Sequence, residues 1–78
     1  MATVKKKTQS LSIAVIVWSN ITRQQYLQRI NDDKLCQILG ITSRTLYNYR
    51  QDPSALTMKQ VQIVLEKMNL NMEELLLI

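Results

Sequence analysis

Asn31–Arg50 reads NDDKLCQILGITSRTLYNYR, and this stretch decides the fold. Asn31 offers a side-chain oxygen to the start of a helix, and Asp32 and Asp33 fall in its first turn, where negative charge suits the positive end of the dipole. Leu35, Ile38 and Leu39 recur at helical spacing and give that helix a buried face. Gly40, the single glycine of the chain, follows directly and fits a left-handed stop. Gly40-Ile41-Thr42 then leads into a second short helix, Ser43–Arg50, capped by Thr42 or Ser43, with Leu46 and Tyr49 inward. Pro53 ends it, because the residue before a proline resists helical geometry. Two short helices joined by three residues must cross closely. Cys36 supplies a small residue at the crossing, Gly40 the positive φ of the turn, and Ile41 an apolar plug. This is a helix-turn-helix arrangement.

Working outward, Thr57 starts a further helix, with Met58, Val61, Val64, Leu65 and Met68 forming a helical stripe. Asn69-Leu70-Asn71 is a break, and Met72–Leu76 forms a last short turn. Upstream, Thr22 fits a capping pattern with Gln25, ahead of an apolar face of Tyr26, Leu27 and Ile30. The apolar run Leu11–Trp18 is rich in β-branched residues, which favours a strand paired with the same strand of a second chain; a buried first helix is the alternative. Residues 1–10 read as a flexible basic arm carrying Lys5, Lys6 and Lys7, a solubilising tail or a follower of phosphates. Residues 11–78 read as a single domain. The expected class is all-α, with four to five helices and one N-terminal strand as an option.

Composition narrows the chemistry. With no His and one Cys among 78 residues, there are too few soft ligands for zinc and no Ser-His or Cys-His pair. One Gly excludes glycine-rich phosphate loops. The expectation is a binding protein, with no enzymatic activity, no cofactor and no metal. Cys36 reads as packing rather than as a redox switch. The net charge of +4 is unevenly spread: residues 1–50 carry eight basic and two acidic side chains, residues 51–78 two and four. Such asymmetry points one side at an anionic partner. The apolar run 11–18 is too short to span a bilayer and lacks a cleavage site for export, so a cytoplasmic, nucleoid-associated location is expected.

Over Asn31–Leu75 the chain resembles the lambda repressor/Cro-like, or XRE-type, helix-turn-helix domains. The resemblance is carried by Asn31, Leu35, Cys36, Gly40 and Ile41, then Ser43, Thr45 and Leu46, then Thr57 and the Glu73-Glu74-Leu75 end. Departures are Asp32, where the family usually has Gln, and Arg50-Gln51-Asp52, where it often has Glu-x-Gly. The resemblance implies that the second helix of the pair enters the major groove of DNA. Its outward residues would be Thr42, Ser43, Arg44, Tyr47, Asn48 and Gln51. The fork of Arg44 suits guanine, Asn48 suits adenine or a phosphate, and Thr42 and Ser43 suit phosphate at the helix start. Arg50 and Lys34 would touch the backbone. The implied function is a phage-repressor or Cro-type transcriptional regulator bound to an operator as a homodimer, paired through Leu11–Trp18, through Leu75–Ile78, or through both. Two alternatives share the fold: a protein-interaction module of antirepressor or antitoxin type, and an architectural or excision factor that bends DNA.

Overall fold

The computed structural model describes residues 12–78. The basic arm, with Lys5–Lys7, and Leu11 lie outside them. The domain is all-α, with α1 Ile13–Leu27, α2 Asp32–Leu39, α3 Ser43–Gln51, α4 Met58–Lys67 and α5 Met72–Leu75, plus a short 3-10 turn at Pro53–Ala55. The described residues contain no strand.

The expected strand is therefore corrected: its described part is the start of α1. Ser12 caps this helix, its hydroxyl accepting from the Val15 amide at 3.2 Å. Val17, Trp18, Asn20, Ile21, Gln24 and Gln25 are its buried positions, a helical period that outweighs the β-branched composition of the run. Thr22 lies exposed within α1 and caps nothing there, and Tyr26 and Leu27 face outward. The inward face at that end is Gln24 and Gln25 instead.

The starts of α2, α3 and α4 match the residues expected to cap them, and α5 adds a cap of its own. Asn31 accepts from the Lys34 amide at 2.8 Å, and Thr42, rather than Ser43, accepts from the Thr45 amide at 3.2 Å. Thr57 and Gln60 form a reciprocal capping box, and Asn71 and Glu74 form a second. Asp52 is extended ahead of Pro53, as a pre-proline residue should be.

Three helices stop in one way. Arg29, Gly40 and Asn69 each take positive φ, and the next residue turns back to bond the last turn. The amides of Ile30, Ile41 and Leu70 donate to the carbonyls of Gln25, Cys36 and Leu65 at 2.9, 3.0 and 2.9 Å. This is the Schellman geometry. Ile30, Ile41 and Leu70 thereby plug the edge of one core built from Val17, Trp18, Ile21, Leu35, Cys36, Leu39, Leu46, Tyr49, Val61, Val64, Met68 and Leu75. Met58, expected on the buried stripe of α4, is exposed as the first residue of the helix.

Side-chain amides of α1 and of the residue that caps its end, Gln28, satisfy carbonyls that helix ends leave without partners. The buried Asn20 amide donates to the carbonyls of Leu75 at 2.9 Å and Leu77 at 2.8 Å. The Gln28 amide donates to the Met68 carbonyl at 3.1 Å, just past α4.

Candidate nucleic-acid interface

α3 is anchored on one side only. Leu46 is 2% exposed and Tyr49 8%. The Tyr49 ring meets Trp18 of α1 edge-on at 5.8 Å between centroids, a favourable aromatic geometry. Its hydroxyl donates to Gln60 Oε1 at 3.0 Å, so the capping box of α4 also holds α3. Leu46 and Tyr49, three apart, are the inward pair expected from the sequence.

The remaining positions point away from the core. Thr42, Ser43, Arg44, Tyr47, Asn48 and Gln51 are all exposed. Among the described residues, side-chain hydrogen bonds of α3 and its cap are confined to Thr42, Thr45, Tyr49 and Arg50. Arg44, Tyr47, Asn48 and Gln51 keep their polar groups free for a partner. The spacing i, i+3, i+4, i+7 puts these four on one helix face. At 1.5 Å per residue they extend over about 10 Å, comparable with a major groove roughly 12 Å wide. α3 itself carries no acidic side chain. Thr42 has its hydroxyl engaged in the cap, 3.1 Å from the Thr45 hydroxyl. Lys34 is exposed in the first turn of α2.

Arg50 differs from the rest. Its guanidinium forks onto Asp32, with Nη2 donating to Oδ1 at 2.8 Å and Nη1 to Oδ2 at 3.1 Å. The buried Gln25 closes the group, its Nε2 donating to Asp32 Oδ1 at 2.9 Å, while Arg50 Nη2 lies 3.5 Å from Gln25 Oε1. The hydrogen bonds from Arg50, then those from Gln25, hold the Asp32 carboxyl down at about 2. The Asp32 carboxylate is thus neutralised by a partner instead of standing unpaired. Sequence reasoning missed Gln25 because the start of its helix was misplaced. Its only signal was a helical period continuing from Ile21.

A second feature lies along α1. Val15, Ile16, Ser19, Asn20, Arg23, Leu77 and Ile78 line an open groove of about 470 Å³. Ile13, Leu76, Leu77 and Ile78 are exposed around it. Within the two expected contact regions, Val17, Trp18 and Leu75 are core residues, while Ile13, Leu76, Leu77 and Ile78 are exposed.

Among the described residues no cluster of three metal-ligating side chains occurs, and no helix is long and apolar enough to cross a membrane. Compared with family models, curated proteins and solved structures, the chain matches none of them.

Proposed function

We propose that this chain is a sequence-specific DNA-binding transcriptional regulator of the phage-repressor/Cro type, with α2 and α3 as its helix-turn-helix and α3 as the reading helix. The observation that carries the reading is the two-sidedness of α3: apolar and fixed on the Leu46–Tyr49 side, polar and unengaged on the Arg44–Gln51 side. Arg44 reads guanine through O6 and N7, Asn48 reads adenine or holds a phosphate, and Tyr47 meets a phosphate or a thymine methyl. Ser43 and Lys34 lie where backbone phosphates pass. The chain acts as a homodimer on half-sites about one helical turn apart and represses by occupying the operator.

Fluorescence anisotropy on a random-sequence duplex across a salt series tests this. The expected log–log slope is roughly −4 or steeper, the mark of several phosphate contacts. Absence of binding near 50 mM salt, where such contacts are strong, sinks the reading. On a duplex selected from a random pool, R44A combined with N48A should cost about 2–6 kcal/mol, from two base contacts at about 1–3 each. The interaction-module reading is favoured by one observation, the apolar groove along α1. Under it, the same double substitution leaves function intact.

A further inference from the structure

The Asp32–Arg50–Gln25 group joins three helices through side chains alone: Gln25 from α1, Asp32 from α2 and Arg50 from the last turn of α3. Among the described residues it contains the only ion pair. Its geometry is the bidentate fork that makes arginine–carboxylate pairs directional. The inward anchors of α3 lie at Leu46 and Tyr49, so Arg50 adds a polar tie one residue beyond them, on a different side of the helix. An apolar contact tolerates small rotations of a helix about its own axis. A two-point fork to a carboxylate, itself held by a buried amide, does not.

We propose that Arg50 is a positioning residue: by closing on Asp32 and Gln25 it sets the rotation of α3 against α1 and α2, and it is withheld from the phosphates that would otherwise claim it. This rests on the DNA-binding reading for its second half only. The reading surface is then Arg44, Tyr47, Asn48 and Gln51, and Arg50 is excluded from it. Asp32 has a double effect. It orients α3, and it keeps one cation out of sequence-independent binding, which raises the share of the affinity that depends on base contacts.

The test uses the full chain, the single variant D32N and the double variant D32N/R50Q. The double variant keeps the net charge and replaces each ionic group with an amide. The pair is partly exposed, at 37% and 57% for the two side chains, so its loss leaves the fold intact, which far-UV circular dichroism checks. Native-state hydrogen exchange is the readout that needs no DNA. Positioning predicts amides of α3 exchanging about three- to fivefold faster in D32N/R50Q, in keeping with a partly exposed pair, while α4 stays unchanged within error. A uniform change across all helices, or no change, overturns positioning.

The second readout is the salt dependence of binding to a random-sequence duplex of about 20 base pairs, long enough for two half-sites. With Arg50 withheld, the double variant keeps the wild-type slope within about half a unit, and D32N, which frees Arg50, steepens it by about one per subunit. A double variant whose slope falls by about one per subunit shows Arg50 on a phosphate and overturns the withholding. If the wild-type chain binds no duplex, the DNA-binding reading and the withholding fail together, and the exchange measurement still decides whether Arg50 positions α3.

Discussion

Asp32 shows how one residue type serves two demands. Near the start of α2 its charge suits the helix dipole, a role legible from its place after Asn31. Its pairing with Arg50 was not legible, because the partners lie 18 residues apart and meet only once α2 and α3 cross. The consequence for stability has a definite sign. The folded-state value of about 2 lies below the ordinary 3.8, so the contribution is present above pH 3.8 and fades as the pH falls toward 2. The exposure of both side chains, 37% and 57%, screens it to about 1 kcal/mol or less. Urea unfolding between pH 2 and 5 should therefore show D32N less stable at the upper end and converging with wild type at the lower end. A constant gap across the range would mean that the carboxylate charge contributes nothing. Cys36 offers a second check at this scale. Burial, with the nearby charges of Asp32 and Asp33, pushes its thiol up, which leaves little thiolate at neutral pH. Alkylation of the folded chain should run about a hundredfold slower than in denaturant; equal rates would show that the site opens freely.

At the scale of elements, capping residues were easier to read than the identity of a short apolar run. Asn31, Thr42 and Thr57 cap through local hydrogen bonds, and local chemistry is visible in sequence; Asn71, read only as part of a break, also caps, and at α1 the cap is Ser12 in place of Thr22. Leu11–Trp18 misled because β-branched content favours a strand locally, whereas its described residues belong to a helix that packs on the distant α5. The helix stops divide the same way. Gly40 announced its turn; Arg29, which takes the same left-handed geometry at φ 57, carried no signal. This difference makes a paired prediction. A Cβ added at Gly40 meets no atom within 4 Å, so Gly40→Ala costs only its dihedral strain, about 1 kcal/mol. Arg29→Gly relieves the same strain and should stabilise by about 0.5–1 kcal/mol. Thermal melts of both variants decide it. Opposite shifts in the midpoint support the shared geometry, and a destabilised Arg29→Gly would show that the arginine side chain contributes more than its backbone costs.

At the scale of the whole molecule, a core of twelve buried apolar residues among those described is small. Domains below about 80 residues rarely draw more than about 3–5 kcal/mol from such a core. The same chain leaves Ile13, Leu76, Leu77 and Ile78 exposed beside the groove of α1, an apolar surface costly to keep in water. The proposed homodimer answers both facts if this face pairs with its copy. An antiparallel pairing of two α1 helices centred on Ile16 would set the two Arg23 residues seven positions from the centre on either side. That separates them by about 21 Å along the axis, well beyond the roughly 8 Å screening length at physiological salt, so like charges do not oppose the contact. Association would then add stability by mass action, about 2.7 kcal/mol at a hundredfold excess over the dissociation constant, and each kcal/mol is worth about 4–8 °C in a domain this small. The melting midpoint should therefore climb by roughly 10 °C or more with protein concentration, and sedimentation should report two chains. Leu77→Glu, at a half-exposed position, should leave a folded monomer whose midpoint is independent of concentration. A wild-type chain that sediments as a monomer near 100 μM, where a dissociation constant of about 1 μM would be saturated a hundredfold, would remove the dimer and leave the groove to a different protein.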